Sequence, residues 1–539
     1  MMQAMNKSLI PLLMVVFSGL LHSQQNLPVD VIQVVKDFDA RLDETEKIKI
    51  SPQIVAPDTT KKTYRYLVNP GVLELKYPAP PLRPVAMKAG EKIPVYPFYL
   101  KAGYGIPQQA YGKLVYDWSN KKTKIGFDLG HLSANNKKNR AQKFYDNDFK
   151  GQVVYLTEDG MALQGDAYFS KDRYHHYGHY FQNPTTQTPE AILKHDYDLL
   201  EIGAKIFNPT VSKVGINYFA GLKLSSLADN LSSRERSANL HLGLTKWIKD
   251  RHSLGIELGS DFNTLKDSST HELDNFYLLP SIGIHGKSFQ ISGGVRLTSS
   301  QQEVNLFPVV NINISLAGNQ LMAVLGADGG LNKNTYRTLS EYNPFITSRP
   351  DIRNNEFTQY YLGVKGSNKS AEYDARIGYR QNNNLPLFIL NTSNFSRFNV
   401  IYRDMDLVYG TASVSFKPTK YLIVSGNVNK NFYRSDEDEP AWGLPSLEVN
   451  GSVQYQSLNQ KLILKAEAFV NDGIPYLDDL GISGKSNILL DISLGADYRL
   501  TKHFGLFVQG NNLANTLWRR WYQYPTYGLN ALGGITLKF

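Results

Sequence analysis

The chain ends on an alternating strand. Ala531 to Phe539 reads ALGGITLKF. Successive side chains of an extended strand point to opposite faces. Ile535, Leu537 and Phe539 therefore share one face, and Gly534, Thr536 and Lys538 share the other. No polar tail follows the phenylalanine. A two-faced terminal strand leaves an unpaired edge unless another strand takes it, and a closed barrel joins its last strand to its first. Ile535, Leu537 and Phe539 are thus expected to close a barrel, with the Phe539 ring on the apolar face.

The start of the chain points to export. Lys7 supplies a positive n-region, and Leu9 to Leu21 is an apolar run broken only by Pro11, Ser18 and Gly19. That run is too short and too early for a spanning helix and fits a secretory signal peptide over residues 1–23, cleaved after Ser23. In bacterial outer-membrane barrels the terminal strand also serves as the tag read by the insertion machinery. The expected location is the outer membrane, with both termini periplasmic and with membrane lipid and the barrel-assembly machinery as partners.

Composition narrows the class. The 539 residues include no cysteine, so an exported chain of this kind has no disulfide framework and no lipoprotein anchor. Hydrophobic content is 42% and mean hydropathy −0.33, too polar for a helical membrane protein. Barrels escape that test because only alternate residues face lipid. The 33 tyrosines and 25 phenylalanines suit aromatic girdles at the two membrane interfaces. The formal charge of +9 becomes +8 without Lys7. The basic residues are scattered rather than gathered into a stripe with interleaved aromatics, so no nucleic-acid partner is expected. A solvated lumen and loops that touch anionic headgroups account for them.

Two textures divide the mature chain. Residues 24–94 are rich in proline and charge and read as a periplasmic or luminal segment, with a short amphipathic helix over Asp30 to Glu46. From residue 95 to 539 the pattern is strand, turn, strand. Leu254, Ile256 and Leu258 share a face. Leu447, Val449, Gly451, Val453 and Tyr455 oppose Glu448, Asn450, Ser452, Gln454 and Gln456. Leu490, Ile492, Leu494, Ala496 and Tyr498 oppose Asp491, Ser493, Gly495, Asp497 and Arg499, and Tyr373 to Tyr379 alternates likewise. Period-two runs of about ten residues match a transmembrane strand. A fully polar second face suits a wet lumen better than a sandwich interior.

Short turns alternate with longer polar stretches, as in outer-membrane barrels. Turns fall near Asn120-Lys121, Asp159-Gly160, Pro209-Thr210, Lys249-Asp250, Gly286-Lys287, Gly318-Asn319, Asn368-Lys369, Pro418-Thr419, Asn459-Gln460 and Thr501-Lys502. Longer stretches include Asn135 to Asp146, Pro184 to His195, Asn263 to Asp274, Asn332 to Phe357, Gln381 to Ser396, Lys430 to Pro445, Asn471 to Ser486 and Ala514 to Asn530. Alternation requires Phe398 to Phe416 to be one long strand. The fold class expected is all-β: a large antiparallel transmembrane barrel of about 22 strands after a short irregular N-terminal segment.

Phe504 to Asn515 (FGLFVQGNNLAN), Trp521-Tyr522-Gln523-Tyr524-Pro525 and Gly533 to Phe539 together resemble the C-terminal end of TonB-dependent outer-membrane receptors. Asp172 to Gly178, Glu341 to Phe345 and Ala441 to Pro445 are further family-like segments. The resemblance implies solute uptake across the outer membrane and implies TonB, or another envelope protein, as a partner. It also implies a plug of about 150 residues, whereas only about 70 precede the first expected strand here. Asp30 to Val35 weakly resembles the family's TonB-contacting segment and reads more readily as the start of an amphipathic helix. The missing usual plug leaves a second expectation open: a barrel that anchors an envelope complex.

Candidate sites are few. Trp518, Arg519, Arg520, Trp521 and Tyr522 combine residue types enriched in binding hot spots, and an interface girdle is the competing reading. His175, His176 and His179 are dense enough to suggest a metal, but neighbours on a strand face opposite sides and no acidic or cysteine ligand completes a set; polar aromatics at the outer rim are the simpler reading. Asp436 to Glu439 reads as a solvated loop tip. There is no Gly-x-Ser-x-Gly elbow, cysteine nucleophile or phosphate loop. Neither a catalytic residue, a cofactor nor a metal is expected.

Overall fold

A strand with one apolar and one charged face needs lipid or a packed core over the first and water over the second, and only ring closure leaves no bare edge. The computed structural model describes residues 96–136, 141–178, 193–249, 251–300, 303–457 and 461–539. The expected signal peptide over residues 1–23, residues 24–94 with the expected Asp30 to Glu46 helix and the TonB-segment-like stretch, and His179 lie outside the described residues.

Twenty-two long strands form the ring, which also carries one three-residue strand, Thr270–Glu272. They are β1 Phe98–Ile106, β2 Gln109–Ser119, β3 Thr123–Asn135, β4 Lys143–Leu156, β5 Ala162–His175, β6 Lys194–Phe207, β7 Ile216–Asp229 and β8 Arg234–Ile248. Next come β9 His252–Lys266, β10 Asn275–His285, β11 Phe289–Ser300, β12 Glu303–Ser315, β13 Met322–Asn334, β14 Arg353–Ser367 and β15 Ala371–Leu390. The last seven are β16 Phe398–Thr419, β17 Leu422–Arg434, β18 Leu447–Ser457, β19 Leu462–Asn471, β20 Leu489–Arg499, β21 Phe504–Asn511 and β22 Asn530–Lys538. Phe398 to Phe416 lies in one strand, as the turn alternation requires.

The ring closes where the terminal sequence places it. β22 pairs antiparallel with β1, from Tyr99↔Lys538 to Ile106↔Ala531. The Phe98 and Phe539 amides each donate to the other's carbonyl at 3.0 Å. The Phe539 ring stacks on His503 at 5.5 Å. Closure is therefore anchored by backbone bonds to the final residue as well as by packing.

The alternating faces divide as expected. Leu254, Ile256 and Leu258 are 49%, 43% and 44% exposed, and large apolar side chains are exposed on strand after strand around the ring. A continuous apolar exterior of this extent is a lipid-facing surface. The inward face carries ion pairs such as Lys113–Asp128 at 2.8 Å, Arg376–Asp374 at 2.8 Å and Lys465–Glu467 at 2.6 Å.

Both barrel ends lie at one rim, the turn end; the longer connections gather at the other, the loop end. Three loop-end connections are as tight as turns: 107–108, Asn230 to Ser233, and 301–302. The eight longer stretches named above account for the other connections at this end. Four of them hold more structure or less loop than a polar reading suggests. Asn332 to Phe357 contains helix α1 (Tyr336–Tyr342), Asn471 to Ser486 contains a Pro475–Leu477/Ser483–Lys485 hairpin, and Ala514 to Asn530 contains an Arg519–Trp521/Tyr524–Pro525 hairpin. Gln381 to Ser396 is mostly strand, because β15 runs to Leu390 through a register shift between Asn382 and Leu385.

Candidate functional site

Twenty-two strands spaced ~4.8 Å apart and tilted by ~40° enclose a ring on the order of 40 Å across. Opposite walls can meet only if loops cross the opening. At the loop end they do. Tyr197 of β6 and Phe398 of β16, ten strands apart in the ring of 22, belong to one buried cluster with Leu199, Leu227, Leu265 and Trp521. The cluster is a cap, assembled from four connections.

Helix α1 is the first part. Thr335 caps it in a reciprocal bond pair with Thr338. Its remaining N-terminal donors face the inward carboxylate of Glu235 on β8, which accepts from Tyr336 N at 2.6 Å and Arg337 N at 3.3 Å. A carboxylate there satisfies orphan amides and meets the positive helix end. Arg337 reaches the β6 wall through Glu201 at 2.6 Å and also pairs with Glu341 at 2.9 Å. Those two bonds outweigh burial and raise its pKa. The helix is thus tied to two walls, and Asn343-Pro344-Phe345 is carried over the opening, where Pro344 O accepts from the Tyr197 hydroxyl at 3.1 Å.

The β21–β22 hairpin is the second part. Trp521 packs between Phe388 and Phe398, with ring centroids at 5.2 and 5.6 Å. Arg520 lies over Trp521 at 4.1 Å and donates to Gly443 O at 2.8 Å and the Tyr342 hydroxyl at 2.7 Å. Tyr524 stacks on Phe345 at 3.8 Å and donates to Ser396 O. Pro525 O accepts from Tyr177 and from Gln142, at 2.8 and 3.0 Å.

The other two parts fit around them. Ala441 and Trp442 form a second buried cluster with Leu387 and Met405. Gly443 has φ +78, and a Cβ there would sit 3.0 Å from Trp521 and Phe388 atoms. Gly178 allows a similar approach, since its Cβ would meet Tyr524 at 2.6 Å. The family-like segments Asp172 to Gly178, Glu341 to Phe345, Ala441 to Pro445 and Trp521 to Pro525 therefore converge on one structure.

The five hot-spot candidates sit in or beside this cap. Trp521 and Trp518 are buried, 5% and 6% exposed, the latter against Ile474 and Leu489. Arg519, Arg520 and Tyr522 remain half-buried, with Tyr522 stacked on Tyr476 at 4.3 Å. All five belong to the connection between β21 and β22, not to a strand of the ring.

The histidines stand at the loop end of β5, His175 as its last residue. His175 and His176 are both buried. His175 Nδ1 lies 3.0 Å from Lys143 O. His176 Nδ1 lies 2.9 Å from Ser396 O and its ring stacks on His195 at 5.4 Å. Its Nε2 is buried without a hydrogen-bond partner. Burial, then the neighbouring His195 and Arg397, hold its pKa well below the usual 6.5. Beside it, Asp229 Oδ2 accepts from the Tyr336 hydroxyl at 2.7 Å and lies 3.3 Å from His195 Nε2. Local sequence gave no sign of His195, Asp229 and Tyr336, which come from three separate elements. Among the described residues no group of three or more His, Asp or Glu is placed to hold a metal. Asp436 to Glu439 is not wholly free in solvent either: Glu439 bonds Arg403 at 2.6 Å and the Trp442 indole at 2.9 Å.

The ring is a closed antiparallel barrel of 22 long strands with a loop-end assembly. Among solved structures, the chain matches the FrpB iron transporter of Neisseria meningitidis at TM-score 0.65 and 8% identity, covering 83% of this chain and 82% of that one. The copper transporter OprC matches at TM-score 0.60 and 12% identity over 83% and 80%. Pseudomonas aeruginosa FpvA, bound to iron-loaded pyoverdine, matches at 0.60 and 10% over 82% and 72%. No protein-family model and no curated protein sequence matches the chain. At these identities the likeness is one of fold.

Proposed function

We propose that the protein is a component of solute transport across the bacterial outer membrane, with the loop-end cap as its gate. The observation that carries this reading is a ring of 22 strands with a charged inward face, in the fold of iron and copper transporters. In this reading the turn end and both termini face the periplasm, the signal peptide is removed, and the barrel-assembly machinery reads Ile535, Leu537 and Phe539. Inward Asp374, Arg376, Glu448, Asp491, Asp497 and Arg499 line the solute path. Arg519, Arg520 and Tyr522 keep exposed surface for a ligand or partner, while Trp518 and Trp521 hold their hairpin in place. TonB is a candidate partner through residues 24–94. Conductance in planar bilayers tests the reading. Full-length protein is expected to be nearly silent, and W521A/Y524A, or deletion of residues 24–94, to open steady currents. Silence in every form would sink it.

The buried cap also supports a second reading, an anchor subunit of an envelope complex. A mouth closed by side-chain packing suits a barrel that is held shut. Silence in all forms, together with stoichiometric copurification of another envelope protein, favours this alternative.

A further inference from the structure

On the outer wall of β7 to β9, the side chains change abruptly from apolar to cationic toward the loop end. Leu224, Leu240 and Phe262 belong to the exposed lipid-facing belt. Above them on β8, Arg234 and Arg236 point outward and are exposed, while Glu235 between them is buried inward. On β9, Lys266 points outward and Leu265 is buried inward. The register sets Arg234 directly opposite Lys266, and Arg236 opposite Thr264. Directly opposed side chains are rooted ~5 Å apart and same-face neighbours ~7 Å apart, so three cations share one small patch.

Like charges opposite one another destabilise a sheet unless a counter-charge intervenes. Among the described residues no carboxylate pairs with Arg234, Arg236 or Lys266. Two acids lie close in register. Glu272 is opposite Thr264, and Asp267 at the loop tip accepts from Ser269 N at 2.7 Å. The neighbouring wall behaves differently. On β5 and β6, Lys171 pairs with Asp198 at 3.3 Å, and Arg173 and Lys194 both pair with Asp196, at 2.5 and 2.6 Å. The protein pairs every cation of that cluster with a contacting carboxylate and gives the β8–β9 triad none within ion-pair distance among the described residues. Small residues face the triad on β7, Ala228 opposite Arg234 and Ser226 opposite Arg236, so the patch is open to a ligand from the membrane side.

We propose that Arg234, Arg236 and Lys266 form a binding site for the phosphate of a membrane lipid headgroup, whose acyl chains lie against Leu224, Leu240 and Phe262. The planar guanidinium fork matches phosphate oxygens in two parallel bonds, and the lysine adds a point charge. Arg236 and Lys266 lie two same-face positions beyond Leu240 and Phe262, and with the loop end facing outward, as in the reading above, that height would meet outer-leaflet headgroups. The lipid phosphate supplies the contacting counter-charge that Glu272 and Asp267 do not, and fixes the rotation of the barrel against its leaflet. The site does not depend on what passes through the lumen.

Native mass spectrometry of the full chain in detergent, with lipid A as the phosphorylated probe and phosphatidylcholine as comparison, tests the assignment. R234Q/R236Q/K266Q is expected to lower lipid A affinity by roughly 100-fold, about five-fold per cation. K121Q/K122Q/K124Q removes the same charge at the turn end and is expected to leave lipid A binding unchanged. Inorganic phosphate alone is expected to give no lasting adduct. Equal lipid A occupancy in the triad variant and the parent overturns the proposal. So does a phosphate adduct that depends on the triad without any preference for lipid. Heat-modifiable migration on gels shows that each variant has folded, and the exposed positions make folding failure no escape.

Discussion

The Tyr524 and Phe345 rings stack 3.8 Å apart, at an interplanar angle of 23°, although one belongs to the last connection of the barrel and the other to the one after β13. No strand of the ring carries either side chain. Their meeting over the opening joins the hairpin beside the closing strand to a helix tied to β6 and β8. The Tyr524 hydroxyl extends the link to Ser396, between β15 and β16. One side chain thus touches three sectors of the ring.

Truncating that junction should loosen the cap and spare the ring. W521A and Y524A each remove a buried aromatic, a change that costs about 3–5 kcal/mol when the site cannot collapse. The strand ladder does not use these side chains, so the loss falls on the cap. The expected outcome is faster hydrogen exchange in residues 336–346 and 518–527 with unchanged exchange in β10 to β12. Faster exchange throughout the barrel would show that cap and ring unfold as one unit.

Acid should also release the cap. Burial keeps His176 neutral, so its folded pKa lies below the 6.5 of a free histidine. Its contribution to cap stability is complete above pH 6.5. Below that it falls by about 1.4 kcal/mol per pH unit, until the folded pKa is reached. Protonation would place a charge beside Arg397 and His195, with no acceptor on Nε2. Tryptophan fluorescence between pH 7.5 and 5 should report a transition in the parent that is weaker in H176Q. An identical profile in H176Q would assign the transition to other groups.

Helix α1 offers a third test. Glu235 accepts from two of its first amides, and a buried donor left unpaired costs about 1–3 kcal/mol. E235A is therefore expected to fray the helix and expose Tyr336, while E235Q, which keeps one acceptor oxygen, should retain about half of the effect. Exchange rates at the Tyr336 and Arg337 amides measure it. Equal rates in all three proteins would show that packing of Tyr336 and Leu339 alone holds the helix.

The ring was legible in the sequence because it rests on local pattern. Period two marks the strands, each faces lipid on one side, and a strand follows its neighbour by a short turn. Leu490 to Tyr498 and the long β16 were readable on that ground alone. The cap rests on contacts that ring closure creates. Tyr197 and Phe398 lie ten strands apart, and nothing local says that their connections lean inward. The aromatic, proline and glycine content of Glu341 to Phe345, Ala441 to Pro445 and Trp521 to Pro525 marked the right segments without revealing that they meet. His195 and Asp229 left no trace because each occupies an ordinary strand-end position. The three tight loop-end connections were missed for the converse reason, since turn chemistry does not tell which rim a turn occupies.

The last strand supplies the final test. Phe539 is bonded through both backbone groups to Phe98 and stacked on His503, so its side chain and its main chain hold the seam together. F539A keeps the ladder and removes the ring; deletion of Phe539 removes both Phe98 bonds. If the terminal aromatic serves only as packing, F539A and the deletion should differ by the two backbone bonds, about 0.5–1.5 kcal/mol each, in the denaturant midpoint of the assembled barrel. If it is also the tag read during insertion, both variants should assemble equally slowly in cells, whatever their stability once folded. The reading as a tag predicts the second pattern: pulse-chase labelling shows delayed heat-modifiable protein for both, and purified F539A melts within about 2 kcal/mol of the parent. Normal assembly kinetics for F539A would remove the side chain from that role and leave the Phe98–Phe539 backbone seam as the contribution of this residue.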